Sequence, residues 1–339
     1  FLVVSVIVTV VWSVLDRKQR NYEKLNYCFL VLLRYYVGYM MLVYGMMKVI
    51  PMQFPEPSFY RLLKPYGESS PMGLVWTFIG ASKAYTIISG QAEVIGGVLL
   101  FHRRTMVMGG LVLVAVLTNV VLLNFCYDVP VKLFSLQLLI MVFLIVAPHI
   151  KRLLYVVLLN KPTLPVVYKE PFVQKKWLQA KHIIKWVVVV LFIYFNISEA
   201  IESSKEYGPD APKPPLYGLY KVTDFTINSQ EVAPLITDTI RWRYLEMEYE
   251  DYLRIYRTDM SRKGYTLKVD TTAQKMALTH RKDTTKTYTL KYTKTDSTLH
   301  IKGILHCDTI DCKTKRVYKK DFLLINRGFR WINEQPFNR

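Results

Sequence analysis

The sequence predicts an α-helical transmembrane bundle followed by a small antiparallel all-β domain. Hydrophobic residues make up 51% of the chain, which is high for a soluble protein, and charged residues make up 21%, which is high for a purely transmembrane bundle. The apolar residues concentrate before Glu199, whereas Thr, Lys, Tyr and Asp concentrate after it. The chain therefore divides into two physically different parts, joined by a Pro-rich linker that we predict over 201–217.

Six apolar segments are predicted to cross the membrane as helices. A span needs roughly 20 largely apolar residues, because its backbone polar groups must be satisfied within the helix. The first segment opens at Phe1, which indicates that the sequence begins inside a helix. The predicted spans are 1–15, 27–50, 85–101, 106–126, 132–149 and 183–200.

The basic residues of the loops predict the orientation of the bundle, because Lys and Arg are retained on the cytoplasmic side. They gather around Lys18 and Arg20, at Arg103, and in a basic segment over 151–182. These three loops fall on one side of the predicted bundle. We therefore expect a multi-pass protein of the bacterial inner membrane, with the β domain over 218–339 on the periplasmic or extracytoplasmic side.

The formal net charge of +19 needs a separate explanation. In a soluble protein such a charge would suggest nucleic acid. Here part of it lies in short loops beside apolar spans, so membrane topology explains it. Membrane lipid is a predicted partner, and nucleic acid is not.

Five polar residues within the predicted spans need a reason to be there, because an ionisable group at the centre of a span costs roughly 2.5–3.5 kcal/mol. An Arg34–Glu93 ion pair inside the bundle and a functional role for these two residues are both open. Lys48 lies near the outer boundary, where its ammonium group can reach water. Asn119 and Asn124 are expected to hydrogen-bond between helices.

The histidines and cysteines predict neither haem nor metal. Three histidines lie at predicted cytoplasmic helix ends and three lie in the β domain, so none face each other across the hydrocarbon as axial haem ligands would. The cysteines form no CxxC motif and have no metal-ligand spacing with histidine. These histidines are His102, His149, His182, His280, His300 and His306.

A pattern of glycine and charge in the first two-thirds of the chain points to a known family. Arg34, Gly38, Gly45 and Lys48 follow the spacing R-x3-G-x6-G-x2-K, and Glu93 begins the sequence Glu-Val-Ile-Gly-Gly. Over about 27–150 the chain resembles the DoxX family of small four-helix membrane proteins. The resemblance implies a four-helix membrane fold and an association with membrane redox systems, including a subunit of a thiosulfate:quinone oxidoreductase. The added helices and the β domain depart from the minimal pattern of that family.

A quinone is the one cofactor for which the sequence offers a candidate site. A quinone needs an apolar channel, hydrogen-bond donors and a proton-exchanging group near an interface. Trp76, Lys83, Tyr85 and Glu93 would supply these if the segment 51–84 meets the third span. The alternative is that Trp76 and Tyr85 anchor at the membrane interface while Lys83 reaches water.

Short alternating runs with β-branched and aromatic residues predict eight antiparallel strands after Leu219. They fit an up-and-down barrel or a two-layer sandwich, and a barrel would contain either packed side chains or a ligand. Cys307 and Cys312 flank a predicted four-residue connection, so we expect a structural disulfide there, with a redox-active disulfide as the alternative. The predicted strands are 221–228, 241–249, 252–258, 265–269, 275–280, 287–292, 298–305 and 317–325.

Three functions follow from these features. The first is an accessory or anchoring subunit of an envelope redox or assembly complex, whose β domain binds another envelope protein. The second is a quinone-coupled membrane oxidoreductase, and the third is a transporter. No haem ligands, flavin fingerprint or iron–sulfur cysteine set appear in the sequence, which favours a non-catalytic subunit over an enzyme.

The domain organisation predicted from the sequence has six parts. The regions are an N-terminal helix and loop over 1–26, the DoxX-like bundle over 27–150, the basic cytoplasmic segment over 151–182, the final span over 183–200, the linker over 201–217 and the β domain over 218–339.

Overall fold

The computed structural model describes residues 2–17, 21–165, 175–235, 238–281, 283–335 and 337. Lys18, Arg20 and residues 166–174 of the predicted basic segment lie outside the described residues. The chain forms two compact units. The first consists of Phe1–Ile50 and Ile87–Ile201, and the second consists of Pro51–Thr86 and Glu202–Arg339.

The described residues form ten α-helices, most of which lie before the β domain. In chain order they are α1 Leu2–Leu15, α2 Glu23–Val49, α3 Phe59–Leu63, α4 Pro71–Gly80, α5 Lys83–Leu100, α6 Met106–Cys126, α7 Lys132–Val146, α8 Ile150–Val157, α9 Lys175–Glu206 and α10 Leu323–Asn326.

Four helical stretches among the described residues are long and apolar enough to cross a membrane, which agrees with the predicted bundle. The other two predicted spans correspond to α1, which has 14 residues, and to α5, which carries Lys83 and Glu93. The predicted last span 183–200 lies within α9, which continues to Glu206. The four stretches are Glu23–Val49, Met106–Cys126, Lys132–Val157 and Ile183–Glu206.

The core of the bundle is formed by apolar residues that recur at helical spacing on facing helices. The interior residues of α2 pack against those of α6 and α7, which are joined by a short turn. The core includes Leu33, Val37, Met41, Leu100, Leu113, Leu117, Leu138 and Val142.

The C-terminal domain is a closed eight-stranded antiparallel barrel, one of the two architectures that the sequence left open. β1 pairs with β3, and each strand from β3 to β8 pairs with the strand that follows it. β1 also pairs with β9, which closes the sheet, and the short β2 pairs only with β1. The strands are β1 Gly218–Ile227, β2 Gln230–Glu231, β3 Trp242–Met247, β4 Tyr252–Arg257, β5 Arg262–Asp270, β6 Lys275–His280, β7 Asp283–Lys294, β8 Thr298–Leu305 and β9 Asp308–Val317.

The barrel interior is filled by side chains. Alternate residues of each strand point inward, as in β8, where Leu299, Ile301 and Leu305 are buried. Their inward partners on other strands include Tyr220, Phe225 and Tyr265. An eight-stranded barrel is just wide enough for side chains to fill it. Of the two interiors that the sequence allowed, the structure has the packed one.

The last predicted strand and the predicted disulfide are wrong. The last strand is β9, which consists of residues 308–317 and includes the predicted four-residue connection 308–311. The predicted strand 317–325 instead contains a short 3-10 turn and the start of α10. Leu305 pairs with Asp308, so Cys307 lies in the tight turn between β8 and β9. Cys312 points into the barrel and Cys307 is exposed, and both thiols are free. The two thiols are not bonded because Cys307 lies in the exposed turn and the Cys312 side chain lies in the barrel core.

The segment between α2 and α5 folds in the same compact unit as the barrel, although it lies within the range 27–150 that was predicted to be the DoxX-like bundle. Its proline and serine residues set the start of each short helix. Ser58 and Ser70 cap α3 and α4 by accepting hydrogen bonds from the backbone, and Pro71 occupies the first turn of α4.

Candidate functional site

A buried ion pair joins α2 and α5 inside the bundle. Lys48 lies in the last turn of α2 and Glu93 in the middle of α5, and they are only 7% and 2% exposed. The Lys48 ammonium donates a hydrogen bond to Glu93 Oε1. Glu93 Oε2 is buried and has no hydrogen-bond partner among the described residues. The pair therefore neutralises both charges while leaving one carboxylate oxygen able to accept a further hydrogen bond.

Glycines allow the two helices to approach closely enough for this pair. A Cβ atom at Gly45 would lie 2.8 Å from the carbonyl oxygen of Gly90, and one at Gly90 would lie 2.6 Å from the carbonyl oxygen of Gly45. Gly38 and Gly97 contact each other's backbone in the same way. Small residues at such contacts are typical of helix packing in membranes, where backbones meet directly. The two helices are therefore antiparallel, with Gly45 level with Gly90.

The predicted Arg34–Glu93 pair is wrong, because this helix register places Arg34 at the other end of the contact. Gly38 lies against Gly97, so Arg34 falls level with the end of α5. Its guanidinium group donates to the carbonyl oxygen of Leu100 from Nε at 3.0 Å and from Nη2 at 2.7 Å. Arg34 thus satisfies a backbone acceptor at the C-terminus of α5. The expectation that Lys48 reaches water is also wrong, because Glu93 holds it inside.

The two intramembrane asparagines differ in their surroundings. Asn124 of α6 is buried and donates to Ser135 Oγ of α7 at 3.0 Å. This confirms the predicted hydrogen bond between helices. Asn119 instead lies on the exposed side of α6.

The four candidate quinone residues are divided between the two units. Trp76 packs edge-on against Phe54, with ring centroids 5.0 Å apart, and Tyr85 packs against Phe78 at 5.9 Å. Lys83 is exposed. These three residues belong to the unit that contains the barrel, whereas Glu93 pairs with Lys48 in the bundle. A quinone site formed jointly by all four residues stays a prediction.

A polar network on the outer side of the barrel holds the segment 51–70, which we call the docked segment. Tyr60 of α3 lies under two arginines of the barrel, with its ring 4.5 Å from Arg254 and 5.2 Å from Arg262. Arg254 also donates to both oxygens of the fully buried Glu246, at 2.8 Å each. Such stacked and paired arginines are stabilising because each charge is neutralised where water is excluded.

A second contact of the docked segment involves Glu248, in the loop after β3. Its Oε2 accepts a hydrogen bond from the backbone N–H of Phe59 at 2.7 Å, at the start of α3. Lys319 lies 3.2 Å from Glu248 and 3.4 Å from Glu56 of the docked segment. Burial raises the pKa of Glu248, and the Lys319 ammonium and the Phe59 N–H oppose that rise. The residues of this network are far apart in the chain and follow no local motif, so no sequence pattern predicts it.

No metal site is evident in the described part of the chain, since no three His, Cys, Asp or Glu side chains there are arranged to hold an ion.

Comparison with known proteins supplies a family. The chain is 32% identical over 111 residues to a protein of Bacillus subtilis (strain 168) described as uncharacterized protein YwoB, and the match covers 32% of this chain and 68% of that relative. The chain belongs to the YwoB family. No protein-family model matches the chain, and no solved structure matches it. Membership of the YwoB family does not by itself indicate an activity. The resemblance to the DoxX family stays a prediction.

Proposed function

We propose that the chain is a non-catalytic anchoring subunit of an envelope redox or assembly complex. The bundle holds the barrel at the bacterial inner membrane, and the outer surface of the barrel binds another envelope protein on the extracytoplasmic side. The observation that carries the proposal is the packed barrel interior, formed by residues such as Tyr220, Phe225 and Leu299. A barrel with a filled interior presents only its outer surface and its loops to a partner.

The polar residues of the bundle support the same proposal. Lys48 and Glu93 neutralise each other, Arg34 donates to a backbone carbonyl, and Asn124 donates to Ser135. Each of these contacts stabilises the packing of helices. The basic loops, such as that at Arg103, favour the orientation that leaves the barrel outside the cytoplasm.

Photo-crosslinking in cells tests this function. A photoreactive amino acid is placed, one position at a time, at outward-facing sites around the barrel, including Lys268, Thr289 and Lys302, which are all exposed. We expect adducts with one other envelope protein from positions that cluster on one side of the barrel. The proposal is wrong if no outward position gives an adduct and the purified chain by itself oxidises or reduces a quinone.

One observation favours a quinone-coupled oxidoreductase as the second candidate. Glu93 Oε2 is buried and lacks a partner among the described residues, so it can accept a hydrogen bond from a quinol hydroxyl group. Quinone extracted from the purified protein tests this candidate. Wild-type protein should retain bound quinone, and the double variant K48Q/E93Q, which removes both charges together, should lose it. Equal quinone content in the two proteins would contradict a quinone site at Glu93.

A further inference from the structure

A pocket of about 330 Å³ lies on the outer surface of the barrel, where β1, β3 and β9 meet the turn that follows β9. This volume is at the lower end of the range of roughly 300–1,000 Å³ that is typical of small-molecule sites. The residues that bear on its chemistry are Lys221, Tyr244, Lys315, Arg316, Asp321 and Phe322.

Two lysines lie side by side on neighbouring strands at the pocket. Lys221 of β1 is the direct register partner of Lys315 of β9, and on its other side it is the register partner of Tyr244 of β3. Opposed residues of an antiparallel pair have Cβ atoms about 4.5–5.5 Å apart, and like charges in such positions destabilise the sheet. An anion bound between the two ammonium groups would offset this repulsion.

The charges in the pocket are not balanced by the protein. Among the described residues neither Lys221 nor Lys315 has an ion pair or a side-chain hydrogen bond. Arg316 is the register partner of the inward-facing Tyr220, so its side chain belongs to the other face of β9, where its Nη2 donates to the carbonyl oxygen of Tyr217 at 3.1 Å. The one carboxylate, that of Asp321, already accepts a hydrogen bond from the Tyr318 N–H at 2.8 Å. Two lysines without a counter-charge thus lie at a pocket whose one carboxylate already has a hydrogen-bond partner.

A second lysine pair on the same barrel provides a comparison for the Lys221–Lys315 pair. Lys291 of β7 is the register partner of Lys302 of β8. Lys302, however, lies 3.3 Å from Asp311, which neutralises part of this charge, and the pair does not line the pocket. The Lys221–Lys315 pair therefore differs from it both in the absence of an acidic partner and in having aromatic walls beside it.

We propose that this pocket binds a small organic phosphate, with the phosphate group between Lys221 and Lys315 and the apolar part of the molecule against Tyr244 and Phe322. Two ammonium groups act as separate point charges that suit a doubly charged oxyanion, and charge-assisted hydrogen bonds to it are strong. Tyr244 and Phe322 favour a phosphate that carries an aromatic or apolar group. The phosphate can belong to a soluble ester or to a lipid headgroup. This inference does not depend on the proposed function.

Calorimetric titration of the full chain in nanodiscs of neutral phosphatidylcholine tests the pocket, with phenyl phosphate as the probe and inorganic phosphate for comparison. We expect saturable binding of phenyl phosphate that is tighter than that of inorganic phosphate. The variant K221Q/K315Q should weaken it by about tenfold or more, which corresponds to about 1.4 kcal/mol. The variant K291Q/K302Q removes the same charge from the same barrel and should bind as wild type does.

Three results would overturn the proposal: no saturable binding, equal weakening in the two double variants, or equal affinity for phenyl phosphate and inorganic phosphate. Unchanged thermal unfolding of K221Q/K315Q excludes misfolding as the cause of a loss. Nanodiscs containing anionic phosphatidylglycerol distinguish the source of the phosphate. Competition that weakens phenyl phosphate binding to wild type and K291Q/K302Q alike supports a lipid headgroup, and unchanged binding supports a soluble ester.

Discussion

Lys48 and Glu93 form an ion pair between α2 and α5, close to the point where Gly45 and Gly90 bring the two helix backbones together. Both side chains are almost fully buried. Because neither charge is exposed to water, each depends on the other for its neutralisation. The pair is therefore a constraint on how α2 and α5 pack as well as a candidate site.

Removing one partner of the pair should destabilise the bundle strongly. In the variant E93Q the Lys48 ammonium stays buried without a counter-charge, and we expect a loss of about 3–5 kcal/mol in the free energy of unfolding. The double variant K48M/E93L, which replaces both charges with apolar groups of similar size, should recover most of the loss. Denaturant titration of the purified protein in mixed micelles measures both. Equal stability of E93Q and wild type would contradict the buried pair.

The glycine contact should tolerate no added methyl group. Gly90→Ala would place a Cβ atom 2.6 Å from the carbonyl oxygen of Gly45 and force the helices apart, at a cost of about 1–3 kcal/mol. Gly67→Ala is the matched control, because a Cβ atom there meets nothing within 4 Å. Its effect should stay within about 0.5 kcal/mol. Thermal unfolding of the two variants compares them directly, and a Gly90→Ala protein as stable as Gly67→Ala would rule out the close contact.

Tyr60 should hold the docked segment on the barrel. The variant Y60A removes the ring that lies under Arg254 and Arg262, and stacking contacts of this kind contribute about 0.5–2 kcal/mol each. We expect trypsin to cleave after Arg61 faster than in wild type, as measured by mass spectrometry of the fragments. The control Y66A changes a tyrosine that is 78% exposed and should leave the cleavage rate unchanged. Equal rates in all three proteins would show that Tyr60 does not hold the segment.

The barrel should lose stability in acid through Asp311. A hydrogen bond from His300, at 2.6 Å, lowers the pKa of Asp311, and Lys302 contributes in the same direction. A carboxyl group whose pKa is lowered by folding stabilises the protein above its unfolded pKa of about 3.9, and this contribution is lost as the pH falls through the folded pKa.

The variant D311N should therefore be less stable than wild type at about pH 7, and the two should converge below about pH 4. Because Asp311 is partly exposed, the difference should not exceed about 1 kcal/mol. The control D296N changes an exposed residue in the turn between β7 and β8. Thermal unfolding of the three proteins over this pH range measures the difference in stability. If the stability difference between wild type and D311N became larger in acid, it would contradict the role assigned to Asp311.

Local patterns were sufficient to predict most of the elements. The apolar runs predicted helices at α2, α6 and α7, and the alternation of inward and outward residues predicted seven of the eight barrel strands within a few residues. The exception, β9, carries Cys312 and Thr314 at inward positions beside Ile310. Two of its three inward residues are thus weakly apolar, so the alternation was hidden, and the predicted strand begins nine residues after the start of β9.

Contacts between distant residues could not be predicted in the same way. Arg34 and Lys48 lie on one helix; the sequence suggested Arg34 as a partner of Glu93 and Lys48 as a residue that reaches water, whereas Lys48 is the partner in the structure. The choice depends on the register of α2 against α5, which is set by the backbone contact of Gly45 with Gly90. The docked segment lies 189 residues before its partner Glu248 in the contact made by Phe59, and no repeating pattern links them.

Maleimide labelling of Cys307 in spheroplasts tests most directly the claim that the bundle presents the barrel outside the cytoplasm. Cys307 is exposed and Cys312 lies in the barrel core, where burial raises the pKa of its thiol, so in the variant C28S/C126S only Cys307 should react before unfolding. We predict full labelling by a membrane-impermeant maleimide, without reductant and without permeabilisation. Labelling that appears only after the membrane is permeabilised would place the barrel in the cytoplasm and contradict the account.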